Sequence, residues 1–70
     1  MARREDEIRM RAVSNPDLER WTAFSSDEML ALRWAVQGAL ELRRRVGIER
    51  GKLDEYLTRL QHELIEVLGQ

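Results

Sequence analysis

The sequence predicts an all-α protein: a helical hairpin, formed by a long central helix over about residues 26–46 and a C-terminal helix over about 52–68, preceded by one or two short N-terminal helices. Three observations carry this reading. Apolar residues recur at helical spacing in both long segments, and no segment alternates as a strand would. Helix-start signals precede the second and third segments, and glycines stand where the long helices should stop. Only two stretches break the chain, Ser14-Asn15-Pro16-Asp17 and Val46 to Gly51.

The first segment, Arg3 to Val13, is rich in helix formers but carries two competing apolar stripes, Ile8/Ala12 and Met10/Val13. It is expected to be weakly helical, with residues 1–15 set apart from one small domain over 16–70. Asn15 followed by Pro16 starts the next helix. Asn caps an orphan N–H, and Pro suits the first helical position because its missing N–H has no partner there. This helix should be short, ending near Ala23, with Leu18 and Trp21 on one side.

The strongest local signal is "FSSDEM". Ser25 and Glu28 have capping-box spacing, and Phe24 and Met29 stand where a hydrophobic staple places them. Gly47 is expected to end the long helix in the left-handed conformation, with Ile48 folding back toward Leu42. Arg43, Arg44 and Arg45 lie in its last turn, where positive charge is favoured. Gly51 lets the chain reverse, and Gly69 ends the final helix.

The two long helices differ in what they must bury. At about 100° per residue, Leu53, Tyr56, Leu57, Leu60, Leu64, Val67 and Leu68 of the last helix fall in an arc of roughly 120°. Its other face holds Asp54, Glu55, Arg59, His62, Glu63 and Glu66, with Glu55–Arg59 and Arg59–Glu63 at pairing distance. Such a helix packs against one thing. The central helix has a narrow polar side, Arg33, Gln37, Glu41 and Arg44, and an apolar arc of roughly 240°. One amphipathic partner cannot cover that arc. Either Trp21, Phe24 and Trp34 complete a monomeric core, or part of the surface is an interface. We favour the interface, placed at Trp21, Phe24, Leu30, Ala31, Trp34, Ala35 and Gly38. Gly38 costs about 1 kcal/mol relative to Ala inside a helix, so a packing reason is expected for it. Small helical domains bury surplus apolar surface by associating, and a two-fold dimer forming a helical bundle is the simplest closed solution.

Composition narrows the function. Seventy residues without cysteine exclude disulfides and thiolate zinc sites, and the mass bounds a small core. No apolar run approaches the roughly 20 residues of a membrane span, and the start, "MARREDEIRM", lacks the apolar stretch of a signal peptide. A cytoplasmic location without membrane contact is therefore expected. Charged residues make up 36% of the chain with a formal net charge of −1, which does not suit broad nucleic-acid binding. No catalytic site, cofactor or small-molecule substrate is expected. The lone histidine, His62, has Glu66 one turn on, but two ligands from one helix make a weak metal site, so none is assigned. No glycine-rich phosphate loop precedes a helix, because Gly47 and Gly51 lack the Gly-Lys-Ser/Thr ending.

One stretch offers a different reading. In "VGIERGKLDEYL", the run of Val46, Gly47, Ile48, Gly51, Leu53, Tyr56 and Leu57 resembles the turn and recognition helix of helix-turn-helix regulators of the TetR type. The resemblance covers about a dozen residues and implies phosphate contacts from Arg43, Arg44, Arg45, Arg50 and Lys52. The chain departs from that pattern at Arg43, where a small residue is usual, and at Glu49, where Ser or Thr usually caps. Asp54 and Glu55 would also repel phosphate. The arginines read first as helix-end charges. The expected function is therefore a non-enzymatic helical protein that acts by protein–protein binding, as adaptor, regulator or inhibitor, and that self-associates as a dimer. A helix-turn-helix-like DNA-binding regulator ranks second, and a structural subunit of a larger assembly is the third reading.

Overall fold

The computed structural model describes residues 2–70, with side chains from Arg4 onward, and is all-helical over them. Helix α1 runs Ala2–Ser14, a 3₁₀ helix Pro16–Ala23, α2 Ser26–Arg45 and α3 Lys52–Leu68.

The starts of the 3₁₀ helix and α2 are built by the side chains predicted to build them. The Asn15 Oδ1 accepts from the Asp17 N–H at 3.0 Å, with Pro16 in the first helical position. The helix begun there is 3₁₀ rather than α. Three residues per turn stack Leu18 directly under Trp21, and both are buried. The Ser25–Glu28 capping box is complete: the Ser25 N–H donates to Glu28 Oε1 at 2.8 Å and the Glu28 N–H to Ser25 Oγ at 3.2 Å. Met29 behind it is buried, while Phe24 stays half-exposed with its ring tilted against Trp21, centroids 5.4 Å apart.

Both long helices end in a Schellman motif on a left-handed glycine. At α2, Gly47 has φ +76°, its N–H donates to Arg44 O at 3.3 Å, and the Ile48 N–H donates to Arg43 O at 3.0 Å. At α3, Gly69 has φ +74° and the Gln70 N–H donates to Ile65 O at 3.0 Å. Gly51 has no such need. Its φ of −146° is open to any residue, and it serves as the N-cap of α3, its N–H donating to Asp54 Oδ2 at 3.0 Å. Two substitutions should therefore separate. Gly47→Ala is expected to lower stability by about 1 kcal/mol in urea unfolding. Gly51→Ser should leave it unchanged or raise it by a few tenths, because Ser caps better than Gly.

Helices α2 and α3 lie antiparallel along their length. Arg43 meets Asp54 beside the turn, and Met29 meets Leu64, Val67 and Leu68 at the far end. There α1 and the 3₁₀ helix dock, and one core forms from Ile8, Ala12, Leu18, Trp21, Met29, Leu64, Val67 and Leu68, with Leu30 and Leu60 at its margin. On α1 the Ile8/Ala12 stripe wins, leaving Met10 and Val13 exposed. The core crosses residue 15, so α1 belongs to the same packed unit as residues 16–70.

The partner assignment of the long helices differs from the expectation. Helix α3 touches α1, the 3₁₀ helix and α2, whereas α2 rests mainly on α3. The cause lies in polar groups on α3. Glu63 Oε1 accepts from the Trp21 indole N–H at 2.9 Å and faces Arg20 Nε at 3.4 Å. Asn15 donates to Glu66 at 3.4 Å. Arg11 Nε donates to the Val67 carbonyl at 2.8 Å, placing positive charge at the negative end of α3. These contacts draw Glu63 to Trp21 and Arg20 rather than to Arg59, and they fasten the N-terminal elements over the C-terminal half of α3.

Candidate functional site

The core sits at one end of a molecule measuring 41 × 23 × 18 Å. Its radius of gyration is 13.3 Å, against about 11 Å for a compact domain of this length. Its accessible surface is 5383 Å², against about 4600 Å² for a globular monomer of this mass. The excess, about 800 Å² on that scaling, matches what one partner contributes to a standard protein interface.

Much of the exposed apolar surface lies on the outer face of α2 and around the turn. Helix α2 sets Met29 and Val36 against α3, with Arg33, Gln37 and Leu40 half-buried beside them. That uses only one edge of its apolar arc. Ala31, Trp34, Ala35, Gly38 and Leu42 point away and are exposed, Trp34 by 61% and Leu42 by 59%. The Trp34 ring has the Arg33 guanidinium 5.2 Å from its centroid. A Cβ built on Gly38 would meet nothing within 4 Å, so nothing inside the chain explains a glycine in mid-helix.

The seven residues singled out in the sequence divide accordingly. Ala31, Trp34, Ala35 and Gly38 share this open face, and Phe24 is half-exposed at the mouth of the core. Trp21 and Leu30 do not belong to it. Trp21 is 3% exposed and hydrogen-bonded to Glu63, and Leu30 packs on the core margin. Trp34 accordingly does not complete a monomeric core. Sequence reasoning missed Leu42, Val46, Leu53 and Tyr56, all exposed near the turn. Leu53 and Tyr56 read as part of the packed seam of α3. They stay open because α1 and the 3₁₀ helix reach only its other half.

The basic patch changes more. Arg43 is spent within the fold: its Nε and one terminal nitrogen grip the Asp54 carboxylate at 2.7 and 3.0 Å, and Asp54 is buried rather than on the wet face. Arg44, Arg45, Arg50 and Lys52 remain exposed. The antiparallel packing of α2 on α3 also departs from a helix-turn-helix, whose helices cross at roughly 90–120°.

The Arg43 guanidinium, aided by the Gly51 N–H, holds the Asp54 carboxyl down at about 2 from an ordinary 3.8. A carboxyl lowered on folding stabilises the fold above its unfolded value and loses that contribution as pH falls through its folded value. Acid unfolding should therefore draw on this group between about 3.8 and about 2. Asp54→Asn is expected to flatten the pH dependence of the thermal midpoint in that window. Glu28, lowered by its bonds with Ser25, acts in the same direction and stays in the variant.

A wide, shallow depression between the 3₁₀ helix and α3 is lined by Arg20, Arg59, His62 and Glu66 among others. No group of three or more His, Cys, Asp or Glu converges among the described residues. Nor is any helix among them long and apolar enough to cross a membrane. No protein-family model, curated protein or solved structure matches the chain.

Proposed function

We propose that this is a non-enzymatic binding protein that works through helix-to-helix contact, and that the outer face of α2 is its interface, used first for self-association. The observation that carries the reading is an apolar helix face left uncovered in a chain with about 800 Å² more surface than its mass requires. Burial at roughly 25 cal/mol per Å² makes such a face costly to leave in water. Contiguous exposed apolar faces, here with Trp34 and Leu42 open on one side of a helix, mark association surfaces. A role as adaptor, regulator or inhibitor, and a cytoplasmic location, fit a small protein of this kind.

DNA binding is the weaker reading. Its leading arginine, Arg43, is committed to Asp54, and the helix it would offer to a groove packs lengthwise on its neighbour.

Sedimentation velocity from low to high micromolar concentration tests the proposal. A species of twice the 8.3 kDa chain mass, dissociating on dilution, is expected. A monomer throughout that range overturns the reading.

A further inference from the structure

We infer that the second copy seats antiparallel on α2, about a two-fold axis at the level of Val36, with Trp34 of each copy lying over Gly38 of the other. The inference rests on the self-association proposed above and adds its geometry. Asp27, Ala31, Trp34, Gly38, Glu41 and Arg45 follow one another at steps of four and three, so they form a single line along the outer side of α2. A two-fold axis normal to that line, midway between residues 34 and 38, exchanges those two positions. The same operation brings Asp27 to Arg45.

Two observations select this arrangement. The first is the glycine: Gly38 sits in a helix with a negative φ, has open space above it, and forms a shallow seat one turn from an exposed indole. A two-fold interface needs a patch that complements itself, and a knob and a seat equally spaced from the axis provide one. The second is charge. The start of α2 is acidic, with Asp27 and Glu28 beside Glu5, whose carboxylate faces the Ser26 hydroxyl at 3.4 Å. The end is basic, with Arg44 and Arg45 free of the Arg43–Asp54 pair. Antiparallel helices set acid against base and oppose their dipoles, while parallel helices set like against like. The surplus surface of the chain, about 800 Å² on the mass scaling, is the size that one side of a stable dimer buries; it bears on self-association and not on its direction.

The chain has no cysteine, so one introduced thiol labels one site. Val46 is exposed at the end of α2 and suits a spin label as Val46→Cys. In the antiparallel pair the two labels lie about 30 Å apart along the helix axis, from ten residues on each side of the two-fold at 1.5 Å per residue. In a parallel pair they lie about 10 Å apart, the interaxial spacing. A pulsed electron-spin distance near the longer value, in a sample shown to be dimeric, supports the inference. The shorter value overturns it and leaves self-association standing. A chain that never dimerises overturns both. A second variant asks about the seat: Gly38→Gln should raise the thermal midpoint of the dilute monomer, because glycine is the poorer helix former. It should also weaken dimerisation by more than tenfold. Dimerisation at wild-type strength in that variant overturns the Trp34–Gly38 contact.

Discussion

Trp21→Ala is expected to unfold the protein or leave it barely folded at room temperature. Emptying a buried tryptophan site costs about 3–5 kcal/mol. A chain of this size has a total stability of roughly 3.5–10 kcal/mol. Trp21 is 3% exposed and joins the 3₁₀ helix to α3 through both its ring and its N–H bond to Glu63. Its loss opens the one end of the hairpin that has a core. Trp21→Phe keeps most of the ring volume and drops the donor, so it should cost about 1–2 kcal/mol. Circular dichroism melts at fixed concentration measure both. A wild-type midpoint in the alanine variant would show that the core does not depend on this ring.

Trp34→Ala should do the opposite. The side chain is 61% exposed and its α2 backbone is held by other residues, so the monomer should melt within about 1 kcal/mol of wild type. Dimerisation, however, should weaken by about a hundredfold or more. An aromatic anchor at the centre of an interface contributes about 2 kcal/mol or more, and a two-fold interface contains it twice. Dilution sedimentation gives the dissociation constant, and one equal to wild type would place the interface elsewhere. The two tryptophans thus divide the molecule: one holds the fold, the other faces outward.

Local structure was legible in the sequence because caps act over a few residues. Asn15 with Pro16, Ser25 with Glu28, and the left-handed Gly47 and Gly69 are each set by one or two side chains and their nearest backbone. The choice of packing partners was not legible, because it rests on contacts far apart in the chain. Periodicity placed Glu63 on a wet face, but the Trp21 indole and Arg20 reach it from more than 40 residues away. Arg11, read only as a helix charge, fastens to the Val67 carbonyl. Asp54 read as a repulsive surface carboxylate, yet it closes the turn by gripping Arg43 and the Gly51 N–H. The excess width of the apolar arc on α2 was visible from spacing alone. Which part of it stays open was not, since that depends on where α1 and the 3₁₀ helix land. The same ambiguity put Trp21 and Leu30 beside Trp34 in one candidate surface, although they face different neighbours.

The central claim is that the outer face of α2 is where this protein meets its own copy. The most direct test tracks the two indole N–H resonances by nuclear magnetic resonance as the protein is diluted through its dissociation range. The Trp34 signal should move along a binding curve and the Trp21 signal, fixed by Glu63 inside the core, should stay in place. A Trp34 resonance that does not shift while the mass falls from dimer to monomer would contradict the claim.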